Sequence, residues 1–419
     1  MSEIFEGAIG IDLGNTTACV AVWENGGVHV IADDEGEPTT TPAFVGFTEE
    51  RCIVGESARS EVIMGETNTV FDLMHIIGRR YDDPEIQARM QRWPFQVVNR
   101  DLQPFIQVKV KNQVKVFSPQ EMSAKVIATM KNTAENYLQK RINKAVITVP
   151  ASFNRAQRQA IKEAAELAGI CSVHLIDKPV AAVLPYVHRY GEETAMKKIL
   201  VFHLGGKSCE ATLLSASNEP NALPRVQSVA SDTRLGGDSF TNVLLESCKE
   251  EVRRQYNEDI TTDPFTLSQF HQSCERAKIH LSSSSSMTSS TAFGIYSLVH
   301  GFSYSTEISR ERFEELSSNL FNRVIQVIEQ ALKGAHLHKS DVDEIFLVGG
   351  STSMPRVRSL LQDVFVDKPL RTLDEALSLT PSEVRTLGEK ALSPDEFAAY
   401  GAAYYGHVLF GGPMAVKEA

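Results

Sequence analysis

The sequence predicts an α/β protein built from two related halves, and three observations carry that reading. A strand, a glycine turn and a second strand occur twice, at residues 8–23 and 199–214. Apolar runs of strand type alternate with helical stripes in both halves, the signature of a layered α/β architecture. The chain has 419 residues, more than one hydrophobic core usually fills, so two cores are expected.

The elements follow in order. Residues 8–23 pair two β-rich runs through Gly14, Asn15, Thr16 and Thr17, a hairpin pattern. Ser118-Pro119-Gln120-Glu121 reads as a capping box with proline at the first helical position. The helix it opens carries Met122, Val126, Ile127, Met130, Ala134, Tyr137 and Leu138 on one face. Residues 144–150 form a buried-strand candidate closed by proline, and residues 155–167 a helix stopped by Gly169. The second half opens on the hairpin at 199–214. Phe313, Leu316, Leu320, Val324, Val327, Ile328, Ala331 and Leu332 then predict one helical stripe ending near Gly334. Residues 344–350 are a strand running into a glycine turn. The serines at 282–286, 289 and 290 suggest a loop. Residues 372–390 look like a polar, helix-prone excursion before a last helix from 394 to about 409, and no further domain is expected after the tail at 411–419.

Composition excludes some classes. A formal net charge of −11 opposes a broad nucleic-acid footprint, which needs a clustered basic face. The six cysteines lie far apart with no C-x-x-C spacing, so neither a zinc site nor a disulfide framework is expected, and a reducing compartment follows. No cationic apolar leader and no run of about 20 apolar residues is present, so a cytoplasmic address and no membrane are expected.

Four glycine turns flank strands: Gly14-Asn15-Thr16, Gly205-Gly206-Lys207-Ser208, Gly236-Gly237 and Gly349-Gly350-Ser351-Thr352. Glycine lets backbone amides approach phosphate oxygens, and the hydroxyls add donors. One such turn is ordinary. Turns from both halves predict a phosphate cradle clamped between lobes. Gly205-Gly206-Lys207-Ser208 is not a P-loop, because Phe202 stands where that motif needs glycine, and no G-x-G-x-x-G follows a strand.

Further short motifs carry a resemblance. Ile-Asp-Leu-Gly at 11–14, Asn-Thr-Val-Phe-Asp at 68–72, Ile-Gly-Arg-Arg at 77–80, Trp-Pro-Phe at 93–95, Val-Ile-Thr-Val-Pro-Ala at 146–151 and Leu-Gly-Gly at 235–237 occur in one order with Cys-Glu-Arg-Ala-Lys at 274–278, Arg-Phe-Glu-Glu at 312–315, Leu-Val-Gly-Gly-Ser-Thr at 347–352 and Tyr-Gly-Ala-Ala at 400–403. From about residue 8 to 410 the chain resembles the ATPase domain of the seventy-kilodalton heat-shock chaperones. The resemblance implies an actin-like ATPase fold, ribonuclease H-like lobes duplicated around a central nucleotide cleft. It divides the chain into lobe I at 1–196, lobe II at 197–391, a helix at 392–411 returning to lobe I, and a tail at 412–419. It also implies ATP or ADP as cofactor, with Gly14, Asn15, Thr16, Gly205, Gly206, Gly236 and Gly237 at the phosphates. Glu275, Lys278 and Ser282 would meet ribose and adenine, Gly349, Gly350 and Ser351 would lie beneath the nucleotide, and Asp395 would close the pocket.

The chain departs from that pattern where chemistry is done. Ile279 and Ser353 replace two arginines that sandwich adenine, so binding is expected to be weak. Asp12 is kept and Glu210 stands for an aspartate, but His203 replaces an aspartate, Lys178 a glutamate and Met74 the lysine that positions the attacking water. No intact catalytic set remains and no metal ligands are expected. The cleft gains about two positive charges, which repel magnesium and make hydrolysis very slow or absent. Two readings of the new cations stay open: they turn aside, towards solvent or Asp177, or Lys178 or Lys207 takes over the charge that magnesium would bring. The segment 174–180, which in the family signals to J-proteins, is altered at His174, Asp177, Lys178 and Val180, so that coupling is expected to be weakened. Three functions follow: a non-hydrolysing component of a chaperone system, like ribosome-associated relatives that have lost hydrolysis; a slow ATPase working with a separate client-binding partner; or a nucleotide-free interaction scaffold.

Overall fold

The computed structural model describes residues 3–32, 39–63, 68–110, 113–217, 219, 222–257, 259–282, 289–295, 303–377 and 392–410. Most of the expected serine loop, the excursion from residue 378 onward and the tail lie outside the described residues.

Both expected hairpins form, and each begins a sheet. In lobe I, β1 (Ile9–Leu13), β2 (Thr17–Glu24), β3 (Gly27–Ile31), β4 (Thr40–Pro42), β5 (Lys144–Val149) and β6 (Ser172–Asp177) make one sheet in the order β6-β5-β1-β2-β3, with β4 also on β2. In lobe II, β7 (Lys198–Leu204), β8 (Cys209–Ser215), β9 (Arg225–Asp232), β10 (Glu344–Val348) and β11 (Leu370–Arg371) follow the order β9-β8-β7-β10-β11. The two orders are the same topology. In each lobe the first strand takes its hairpin mate antiparallel on one side and a later strand parallel on the other. The duplication read from two short motifs is therefore a property of both sheets.

Helices cover these sheets. The capping box at Ser118 opens α1 (Pro119–Leu138), its hydroxyl accepting from the Glu121 amide while Glu121 accepts from the Ser118 amide. Such a cap contributes about 1 kcal/mol. A second box at Asn154 and Gln157 opens α2 (Arg155–Leu167), and Gly169 follows it at φ +80°. Then come α3 (Lys178–Tyr190), α4 (Gly237–Tyr256) and α5 (Pro264–Ser282). The single stripe expected from 313 to 332 is two helices, Arg310–Leu316 and α6 (Ser318–Gly334). Apolar spacing runs on across Ser317, where the backbone leaves helical geometry at ψ 3°. Periodicity cannot register that break. Pro355–Val364 is α7, and the last helix α8 is Phe397–Leu409, three residues shorter at its start than expected.

Three apolar clusters hold the molecule. One joins β1, β2 and β5 to α1 and α2. Another joins β7, β8 and β10 to α4, α5, α6 and α7. The third lies between the two sheets, where α3 and α8 cross: Ala181, Val183 and Leu184 meet Ala399, Ala402 and Ala403, flanked by Val146 from lobe I and by Ile199, Val201 and Phe346 from lobe II. Glycines set how closely this crossing closes. A methyl on Gly401 would stand 1.8 Å from the Ala181 carbonyl oxygen, and one on Gly10 2.2 Å from the Ala403 nitrogen. Helix α8 touches protein on nearly every side, so it carries apolar residues all round rather than one stripe.

Candidate functional site

The cleft lies where the two hairpins face each other above that crossing. The four glycine turns, spread in the chain from Gly14 to Thr352, meet there. A methyl on Gly206 would reach within 2.2 Å of Thr16 Oγ1, so the hairpin turns of the two lobes touch. The Gly237 amide donates to the Gly205 carbonyl at 2.9 Å and the Asp238 amide to the Gly206 carbonyl at 2.8 Å. Added carbon at Gly236 would collide with Gly206, and at Gly237 with Ser351 Oγ. Ser351 Oγ donates to the Gly205 carbonyl at 3.2 Å. Gly349 holds φ +88°, which favours glycine, and its amide donates to the Pro394 carbonyl at 2.8 Å. That bond brings Asp395 within 3.8 Å of the position a Gly350 Cβ would take. Around this cradle Asn15 Oδ1 and Thr16 Oγ1 are buried with no hydrogen-bond partner. Buried polar atoms normally have partners, so these two beside the glycine turns are free to bond a polar ligand.

The ribose and adenine candidates sit at the lobe II end. Helix α5 puts Glu275 and Lys278 one turn apart, 2.6 Å between carboxylate and ammonium. Lys278 also donates to the Gly237 carbonyl at 3.1 Å, and Thr241 donates to Glu275. Ser282 donates to the Lys278 carbonyl at 2.7 Å, and Ser393 to Asp395. Ile279 leaves this helix 58% exposed, a bare apolar side chain beside the polar set.

At the other end the charges are rearranged. Asp12 is the next-to-last residue of β1, in register with Thr148 of β5, whose hydroxyl donates to it. Lys178 is the first residue of α3, followed by Pro179, and the start of the helix aims its ammonium into the cleft. Its Nζ lies 2.9 Å from Asp12 Oδ1 and 3.0 Å from Oδ2, with both side chains largely buried. The reading in which Lys178 turns aside to Asp177 is thereby corrected. Asp177 pairs with Arg158 at 2.6 Å instead. A guanidinium one helix away reaches it, whereas its sequence neighbour is already held by Asp12.

His203 is the next-to-last residue of β7, directly opposite Glu210 of β8. Burial and the nearby Lys178 charge hold its imidazole down to about 3, so it is neutral at pH 7. Glu210 is held above the usual carboxylate range by burial, against hydrogen bonds from Ser152 Oγ at 3.1 Å and Thr212 Oγ1 at 3.3 Å. Because Ser152 belongs to lobe I, that contact bridges the lobes. Met74 is 3% exposed in the lobe I core and presents nothing polar.

Lys207 does not reach toward the phosphate turns as a free cation. Its ammonium is 3.1 Å from Asp238 Oδ2 and lies over the Phe71 ring. Burial works to lower it, but Asp72 and Asp238 outweigh that and keep it raised above the ordinary lysine value. Asp238 is in turn desolvated, which would raise it, yet a 2.9 Å bond to His271 and the Lys207 charge hold it well below the usual range. Lys207 therefore belongs to an ion cluster at the junction of the lobes, with Asp238 on the lobe II side and Asp72 and Phe71 on the lobe I side.

Sequence reading missed one contact between the lobes. The helix Pro84–Met90, capped by Asp83, sends Arg89 to the Thr233 carbonyl at 2.5 Å. Asp83-Pro84 is a helix-start signal that could have located the helix, though not its reach.

The matched sheets, the crossed helices and the four converging glycine turns define an actin-like ATPase fold, two sheets of matching topology with the glycine turns gathered between them. The Hsp70 protein profile matches residues 8–380, and the chain belongs to the Hsp70 family. It is 41% identical to "Heat shock cognate 70 kDa protein 3" of Dictyostelium discoideum over 96% of its own length and 60% of that protein. It is 41% identical to "Heat shock 70 kDa protein" of Neurospora crassa over 96% of its length and 58% of that protein. Against a ribosome-associated molecular chaperone of Saccharomyces cerevisiae it is 40% identical, covering 97% of this chain and 62% of the other. The chain thus spans about three fifths of the length of these relatives. Hsp70 domains of this kind bind ATP and ADP. Among the described residues no helix is long and apolar enough to cross a membrane.

Proposed function

We propose that this chain is a nucleotide-binding component of a chaperone system that holds ATP or ADP in its cleft and hydrolyses ATP very slowly or not at all. One observation carries the reading: the Lys178 ammonium sits on both oxygens of Asp12. Where relatives of the resembling type gather carboxylates around magnesium, this cleft already holds a fixed cation. Asp12 is further occupied by Thr148, and Glu210 by Ser152 and Thr212. This donor set does not fit a divalent ion, since a metal would have to displace a desolvated ammonium at close range.

The nucleotide itself fits better. Asn15 and Thr16 offer unpaired buried oxygens, and Gly206, Gly236 and Gly237 let the turns close on one another around them, where any Cβ would hold the turns apart. Bound nucleotide would bring its adenosine to Glu275, Lys278, Ser282 and Asp395, and its negative charge towards Lys178. The division into lobes at 1–196 and 197–391, with 392–411 returning to lobe I, belongs to the same proposal. So do a cytoplasmic address, chaperone-system partners rather than nucleic acid or membrane, and weakened coupling to J-proteins.

Titration of the purified chain with ATP and ADP, in magnesium and in EDTA, tests this. Affinity is expected to persist in EDTA, and its collapse there would sink the metal-free reading. A sensitive phosphate-release assay with Glu210→Ala as control is expected to show no turnover that the substitution removes. The scaffold reading has its own support, because Lys178, Lys207 and Lys278 are each paired with a protein carboxylate. A melting temperature unmoved by millimolar ATP and ADP would favour it.

A further inference from the structure

Two helices of lobe II carry a pair of thiols that the cleft chemistry does not use. Cys248 lies on α4 and Cys274 on α5, both essentially without solvent contact, and their sulfurs are 3.9 Å apart. They are 26 residues apart in the chain and meet only because the two helices pack together. Three further features favour reaction between them. A cavity of about 170 Å³ opens beside Cys248, lined also by Glu251, Phe293, Ile308, Arg312 and Leu316, and it is large enough to admit a small oxidant. The Tyr304 hydroxyl donates to Glu251 at 2.6 Å and stands beside Cys248. Cys248 is drawn below the ordinary thiol value, chiefly by the hydrogen bond from Cys274 and despite burial.

We propose that Cys248 and Cys274 form a reversible disulfide on exposure to hydrogen peroxide, making this helix pair an oxidative modification site. The Cys248 sulfur attacks one peroxide oxygen, the O–O bond breaks, and the departing hydroxide takes a proton to leave as water, giving a sulfenic acid. The Cys274 sulfur then attacks the sulfenic sulfur, the S–O bond breaks, and a second water leaves with the Cys274 proton. Two thiols are oxidised and one peroxide is reduced to two waters. A disulfide needs its sulfurs at about 2.05 Å, so closure draws α5 toward α4. Cys274 immediately precedes Glu275, and Lys278 on the same helix holds the Gly237 carbonyl at 3.1 Å. Oxidation therefore shifts the adenosine end of the cleft, a consequence that rests on the nucleotide reading above, whereas the cross-link does not.

The other thiols allow a clean test, because Cys52 and Cys171 are exposed and Cys19 and Cys209 are buried without a partner sulfur. In a Cys52→Ser/Cys171→Ser background, peroxide treatment, alkylation of remaining thiols and peptide mapping are expected to yield one cross-linked pair of peptides, from 248 and 274, lost on treatment with dithiothreitol. Adding Cys248→Ser is expected to leave Cys274 alkylated. Both cysteines recovered as free thiols, or Cys248 carried to sulfinic acid with Cys274 still reduced, would overturn the proposal. ADP affinity of the cross-linked protein is expected to fall about tenfold, the scale of a moderate coupling between sites, and an unchanged affinity would overturn that coupling while the peptide map judges the disulfide.

Discussion

The two hairpins that face each other across the cleft share a topology and differ in chemistry. In lobe I, Asp12 lies opposite Cys19 and beside Thr148, and it keeps a carboxylate that binds a lysine from α3. In lobe II the equivalent strand end carries His203, opposite Glu210 and beside Val348, and the imidazole stays neutral. One backbone plan thus supports an ion pair on one side and an uncharged, desolvated wall on the other. The scaffold fixes where the side chains arrive; their identity decides whether the place attracts a cation, repels one or holds its own.

Breaking the ion pair should have the largest effect. Lys178→Met leaves Asp12 buried without its cation, and loss of one partner of a buried pair costs about 3–5 kcal/mol. A fall in melting temperature larger than that of His203→Gln is expected, and equal falls would erase the contrast between the hairpins. Next comes the crossing beneath both. Gly401→Ala forces a methyl onto the Ala181 carbonyl, where added bulk in a packed site costs about 1–3 kcal/mol, readable by chemical denaturation.

Acid should act through two desolvated histidines, His203 at the cleft and His75 in the lobe I core, each held down to about 3 by burial. His75 is 4% exposed, its Nε2 has no partner, and burial holds it down to about 3, with Arg89 adding to the effect. The unfolded chain binds a proton there below about pH 6.5 and the folded one does not. Stability is therefore full above that value and lost as the pH falls toward 3. Between about pH 7 and 5 the loss from this residue is about 2 kcal/mol, and a His75→Leu variant should show a flatter profile of melting temperature against pH. The smallest effect belongs to the adenosine end. Ile279→Arg restores a cation beside the proposed adenine site and should strengthen ATP binding by about 1–2 kcal/mol in calorimetric titration.

Much of this arrangement was legible from residues alone, for identifiable reasons. Hairpins, caps and glycine stops are local, so Ser118 and Gly169 could be read where they stand, and collinear motifs supplied the two-lobed plan. Directions of long side chains were not local. Whether Lys178 meets Asp177 or Asp12 depends on how α3 leaves β6, and whether Lys207 faces a phosphate or Asp238 depends on how α4 returns to the second hairpin. The end of the stripe at Ser317 was hidden because Leu316 and Leu320 keep helical spacing across the break. Close approaches at Gly10 and Gly401 left no sequence signal beyond the glycines themselves.

The crossing of α3 and α8 also sets a limit on adaptation. With main chain resting on main chain at Ala181 and Gly401, the seat of α3 on α8, against which the lobe II sheet packs, is gauged by peptide groups, which mutation cannot trim. Side chains along the rim can drift through many identities without changing that seat. A lineage built on this gauge can trade away its chemistry piece by piece and still present the same jaws.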